Sequence, residues 1–171
     1  MTLSMYQASA PVFRQGLTAL GAVLDKTVAQ CAERKIDPAV LLACRLAPDM
    51  LPFTRPVQLA ADFAKNTMSR LAGHEPPKFE DVESTVPQLQ DRLARTLAFV
   101  DTIPAAEVDG SEGRTITLNI AGQSMSFTGQ AYLLHFALPN FFFHLTAAYA
   151  ILRHNGLQIG KRDFIGAVPG M

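Results

Sequence analysis

Between Arg114 and Arg153 the chain runs for 38 residues, Thr115 to Leu152, without one charged side chain, although it carries 15 basic and 15 acidic residues in all. That block also holds five of the eleven Phe residues. A stretch this long and this poor in charge has to find cover, because water penalises extended apolar surface. Lipid, a protein core and a second subunit are the three candidates.

Lipid is the weakest. Ala131 to Leu152 is long enough to span a bilayer, but His135, Pro139, Asn140 and His144 lie inside it, and polar groups near the membrane midplane are costly. No basic cluster marks one flank, so no membrane span is expected. Two periods divide the block. Thr115 to Ile120 alternates, Ala121-Gly122 supplies a turn and Ser124 to Phe127 alternates back, which predicts a small β-hairpin. Gln130 to Asn155 then predicts a long helix, interrupted at Pro139 and stopped by Gly156, with Arg153 and His154 placed well for the helix dipole. That helix is apolar nearly all round, and one bundle core covers only part of such a circumference. Its remaining surface is expected to pack under the hairpin, against the C-terminal tail, or against a second copy in a homodimer.

The rest of the chain is amphipathic. Val12, Phe13, Leu17, Leu20, Leu24 and Val28 recur at helical spacing within a first helix, Met5 to Arg34. Asp37-Pro38 opens a short helix ending near Leu46. A second long helix, 49–72, carries Val57, Ala60, Phe63, Ala64, Met68 and Leu71 on one stripe, with Asp49 as its cap and Gly73 as its stop. His74 to Glu83 is a loop. Ser84 or Thr85 caps a third long helix through Leu89, Leu93, Leu97 and Val100, ended by Pro104. The predicted fold is an all-α four-helix bundle with a β-hairpin between helices three and four, forming one domain over 1–171.

Composition supports a single globular domain: 49% of 171 residues are apolar and formal net charge is zero. Balanced charge gives no electrostatic footprint for nucleic acid or an anionic membrane. Cys31 and Cys44 match neither a zinc motif nor a disulfide framework, and are expected to be reduced. The first residues show no secretory pattern, so a cytoplasmic location is expected.

Chemistry-bearing motifs are sparse. G-x-S-x-G, H-E-x-x-H and glycine-rich phosphate loops are absent. GKRDFIG lacks the frame of a phosphate loop and reads as a docked tail held by Phe164 and Ile165. His135 and His144 lie nine apart, about 180° around a straight helix, which keeps them from acting as paired ligands. Asn140 and His144 share a face and form a candidate polar pocket with Asp49 or Asp62, to which His135 is added as a further candidate. Each candidate has a plainer reading: a hydrogen-bonded core histidine for His144, a helix cap for Asp49, and a solvated face for Asp62, Lys65 and Arg70. His74 and His154 are expected at the surface.

The runs APDMLPFTRPVQLAADFAK (47–65) and YLLHFALPNFFFHLTAAYAILRHNG (132–156), followed by GKRDF (160–164), resemble an uncharacterised, domain-of-unknown-function branch of the DinB/YfiT-like superfamily. MYQASAPVF and KIDPAVLLACRLAPDM extend the resemblance over almost the whole chain. It implies an up-up-down-down four-helix bundle, frequently dimeric. Metal-binding members typically use one His from helix two and an H-x-x-x-H pair near the start of helix four, and some are thiol-dependent transferases or hydrolases. The counterpart here is NFFFH (140–144), where His144 falls near one ligand position while Asn140 or Phe141 occupies the other. Helix two has no His. The resemblance therefore implies a protein of unknown function that is non-enzymatic or has a vestigial polar pocket. A metal-dependent hydrolase or thiol-dependent transferase with a reduced ligand set, holding Zn or Ni through His144 and carboxylates, is the first alternative, and an interaction module using the apolar helix-four surface is the second. A small-molecule ligand is left open by the sequence.

Overall fold

The computed structural model describes residues 3–120 and 122–168. Four long helices dominate: α1 (Ala10–Glu33), α3 (Thr54–Ala72), α4 (Val86–Thr102) and α7 (Leu138–His154). Shorter elements are α2 (Ala39–Leu42), α5 (Ala105–Val108), α6 (Gly129–Ala131) and α8 (Lys161–Ile165). The hairpin is β1 (Thr115–Ile120) with β2 (Gln123–Thr128), antiparallel, pairing Thr115 with Thr128 and Ile120 with Gln123. Long connections join α1 to α3 and α4 to α7, as the up-up-down-down order requires of neighbouring parallel helices.

Helix boundaries follow local chemistry. α1 begins at Ala10, not at Met5, because Pro11 belongs in a first turn; the preceding residues form turns in which Ser9 Oγ donates to the Met5 carbonyl at 2.7 Å. Asp37 Oδ1 accepts from Ala39 N–H at 2.9 Å, starting α2, which ends at Leu42 and stops short of Leu46. The second long helix starts five residues later than expected. Pro52 disfavours helical backbone at the residue before it, so α3 starts at Thr54 and Phe53 precedes it with no side-chain cap. Asp49 is therefore not the cap of this helix. Gly73, at φ 82°, closes it in the left-handed conformation. Thr85 and Gln88 form a reciprocal capping box at the start of α4. The expected hairpin turn falls on Ala121, outside the described residues, and on Gly122, whose φ is 81°.

The interruption near Pro139 has a definite form. Tyr132 to Ala137 is a π-helical segment between α6 and α7, so the chain widens before the proline instead of breaking at it. Asn140 Nδ2 donates to the Phe136 carbonyl of this wide turn at 2.7 Å. Gly156, at φ 85°, ends α7. The tail contributes α8, a short helix not anticipated from periodicity, where Lys26 Nζ meets Asp163 Oδ1 at 2.5 Å.

α3 packs against α7 and α4, and α1 against α4 and α7. Phe13 and Phe141 meet edge to face at the centre, 4.9 Å between centroids. Gly16 permits the α1–α7 approach: a Cβ there would lie 2.7 Å from Leu145 Cδ1. The charge-free block is covered on three sides. Phe141, Leu145, Ala148, Ile151 and Leu152 enter the core; Phe136 packs on Phe127 of the hairpin, 5.5 Å between centroids; Tyr149 meets Phe164 of α8 at 5.7 Å. Leu134, Phe142 and Phe143 remain exposed. No helix among the described residues is long and apolar enough to cross a membrane.

Candidate functional site

His144 projects from α7 toward the start of α3 and is 8% exposed. Phe63 of α3 stacks on its ring at 5.6 Å, and Phe143 meets it edge-on at 5.3 Å. Nδ1 is buried and has no hydrogen-bond partner among the described residues. Burial, reinforced by the nearby Arg55 charge, holds the imidazole below its usual pKa. The ring is therefore neutral at neutral pH. It lines a cavity of about 200 Å³ together with Asp49, Met50, Leu51, Pro56, Phe143 and Ala147. The walls are mainly apolar, with a carboxylate and an imidazole as the polar groups, a combination suited to orienting a small organic molecule.

Of the five residues singled out from sequence, Asp49 and His144 border one cavity. Asn140 lies one turn away, its amide nitrogen donating to the backbone. His135 is exposed on the π-helical segment. Asp62 faces another crevice, against the hairpin, where it is paired with Arg92 Nη2 at 3.0 Å and Lys65 Nζ at 3.5 Å. His74 is exposed and bonded to Glu107 at 2.7 Å. Cys31 is buried, Cys44 half-buried, and both are free thiols.

An ionic cluster not foreseen from the sequence joins α3, α4 and the loop between them. Arg92 of α4 is fully buried and reaches Asp62 at 3.0 Å, Asp81 at 2.9 Å and Glu83 at 3.0 Å. Its Nη1 also donates to the Glu80 carbonyl at 3.0 Å, while Nε has no partner among the described residues. Arg55 bridges Gln58 at 2.7 Å and Asp81 at 2.5 Å, and Gln58 donates to Glu83 at 2.8 Å. Burial pushes the Glu83 carboxyl up, but bonds from Gln58 and Arg92 outweigh it and leave the pKa below the usual carboxylate range. Asp81 is lowered in the same way, by Arg55 and Arg92 working against burial. Lys65, also buried, donates to the Pro77 carbonyl. These contacts fasten the loop between α3 and α4 over both helices. The available signal was the run Glu80-Asp81-x-Glu83 ahead of a capping box, with Arg92 on the helix that follows.

The His-rich metal centre known from the superfamily does not fit these residues. Among the described residues, no three His, Cys, Asp or Glu side chains are grouped so as to hold a metal ion. α3 supplies no His, and His144 is wedged between two phenyl rings. A structural or catalytic zinc needs three or four protein donors.

Residues 5–165 match the family Domain of unknown function (DUF1993), and the chain belongs to that family. No curated protein matches it. Among solved structures, a DinB family member protein from Shewanella denitrificans is 37% identical, covering 96% of this chain and 93% of that one, with a TM-score of 0.88. The fold is therefore DinB-like, and the family is one without an assigned activity.

Proposed function

We propose that this DUF1993 member is a non-enzymatic binding protein that holds a small, largely apolar organic ligand in the cavity between Asp49 and His144. The observation that carries this reading is that His144, a residue lining the cavity, keeps a buried Nδ1 with no hydrogen-bond partner among the described residues. Leaving such an atom unpaired costs about 1–3 kcal/mol, which a ligand's hydrogen bond recovers. The reading requires the ring to turn so that Nδ1 faces the cavity, whose apolar walls are Met50, Leu51 and Pro56. Phenol and benzamide serve as probes in an NMR titration. Saturable shifts at His144 and Ala147 that vanish in His144→Phe are expected. Their absence overturns the reading, as does stoichiometric Zn or Ni in tag-free protein that is lost in His144→Ala.

A second reading concerns assembly. Phe143 is 60% exposed and Leu51 48% exposed, and both border the same cavity. We propose that a second copy covers them in a homodimer and so narrows the mouth of the cavity. Light scattering at micromolar concentration is expected to give a dimer for the natural chain and a monomer for Phe143→Glu. A natural chain that is monomeric removes this reading.

A further inference from the structure

A second crevice, of about 330 Å³, lies between α3 and the hairpin. Four consecutive residues of β1, Thr117 to Ile120, border it. Successive side chains of a strand point to opposite faces, so a space touching four in a row lies along the strand's edge. The β1 edge meant here is the one away from β2, since among the described residues the sheet has two strands. Ile120 opposite Gln123 closes the hairpin, which places the inter-strand hydrogen bonds at Ile120, Leu118 and Ile116 and turns the N–H and C=O groups of Thr117 and Asn119 outward. Those groups have no main-chain partner from another element among the described residues.

The opposite wall carries Arg70 and Asn66, with the Asp62 carboxylate further along α3 already paired with Arg92 and Lys65. Arg70 of α3 lines the crevice, and its Nη1 donates to the Tyr132 hydroxyl at 3.1 Å, which steadies the guanidinium and leaves its other nitrogens for an anion. Asn66, one turn earlier, carries a buried Oδ1 without a partner among the described residues, and the terminal torsion of Asn is soft enough to turn that oxygen toward a donor. Phe63 and Phe136 provide apolar surface between them. β1 starts beside the C-terminal end of α3, where Arg114 donates to the Leu71 carbonyl, so the charged wall at Arg70 lies near the first residues of the strand.

We propose that this crevice binds a short extended peptide ending in a free carboxylate, its main chain adding to the β1 edge at Thr117 and Asn119 and its carboxylate on Arg70. A run of main-chain donors and acceptors two residues apart is the pattern that recognises an extended backbone. Volume agrees, since 330 Å³ lies at the lower end of ligand-sized pockets. The inference uses none of the residues of the His144 cavity and stands or falls separately from it.

The test is an NMR titration of the full chain with trialanine, with its C-terminal amide, and with trialanine methylated on the central nitrogen. Trialanine is expected to shift the Thr117 and Asn119 amides saturably and to slow their hydrogen exchange. The C-terminal amide is expected to bind at least about tenfold more weakly, as is trialanine itself to Arg70→Gln. The N-methyl peptide keeps the carboxylate but loses a main-chain donor, and is expected to lose the shifts at β1. No saturable shift up to the solubility limit overturns the proposal. So does equal binding of acid and amide, unchanged binding to Arg70→Gln, or the same β1 shifts with acetate alone. Because two arms vary only the peptide, a variant that fails to fold does not rescue it.

Discussion

The bundle buries two ionisable centres within reach of Arg55, and it treats them in opposite ways. Around Arg92 every charge is answered: three carboxylates and a carbonyl converge on one guanidinium. Around His144 the charge is surrendered, for the ring sits between Phe63 and Phe143 and burial disfavours its proton. Arginine stays protonated at any relevant pH, so its burial demands partners. Histidine titrates near neutrality and escapes the same cost by becoming neutral. The first centre is thereby committed to holding a loop in place, while the second keeps an unpaired nitrogen beside a cavity.

The sharpest way to break this contrast is to strip the first centre of its cation. Arg92→Met leaves Asp62, Asp81 and Glu83 facing one another with Arg55 and Lys65 as the remaining counter-charges, and is expected to lower stability by about 3 kcal/mol. Asp62 and Asp81 keep some contact with solvent, which places the loss at the low end for a broken buried pair. Urea denaturation checks it, and a change under about 1 kcal/mol would mean that the cluster is solvated in solution.

His144→Phe is the smaller and opposite change. It keeps an aromatic ring against Phe63 while removing the orphaned nitrogen, so stability is expected to rise by about 1 kcal/mol. The pH profile separates the two centres further. A histidine depressed in the folded state binds protons more readily when unfolded, so stability contributed above the unfolded pKa of about 6.5 falls as pH drops below it, and levels off past the folded pKa. The carboxylates of Asp81 and Glu83 are depressed too, so their contribution is present above about pH 4 and is lost as pH falls through their folded pKa values. Chemical denaturation from pH 8 to pH 3 is expected to show two descending steps in the natural chain. His144→Phe is expected to lose the upper step alone, and a profile keeping both steps would place the neutral-range titration at another histidine.

Much of the architecture was legible in the residues because its causes are local. The Thr85–Gln88 capping box, the left-handed Gly73 and Gly156, and the switch from alternating to helical periodicity at the hairpin each act within a few positions. Where local signals competed, the reading slipped. Asp49 looked like a cap, but Pro52 delayed the helix to Thr54 and left Asp49 in the loop that borders the cavity. Pro139 looked like a break, and the chain absorbed it in a π-helical turn served by Asn140.

The candidate site was less legible for a reason of distance. Asp62 and His144 are both on the α3–α7 side of the bundle, yet Asp62 is paired with Arg92, thirty positions along the chain, and faces the hairpin crevice instead of the His144 cavity. No sequence period encodes which of several acidic residues a buried arginine will claim.

What the sequence determined by itself was where charge could not go. A block of 38 uncharged residues, five of them Phe, had to be covered, and the periodicities within it specified a hairpin and a helix. Tertiary structure decided what does the covering and which polar groups meet: Phe136 beneath the hairpin, Tyr149 beneath α8, His144 against Phe63, and Phe143 left at the surface. Burial of apolar surface is non-directional, so pattern alone predicts that it happens; the partners of a histidine or an arginine depend on directional contacts that exist only after the helices are packed.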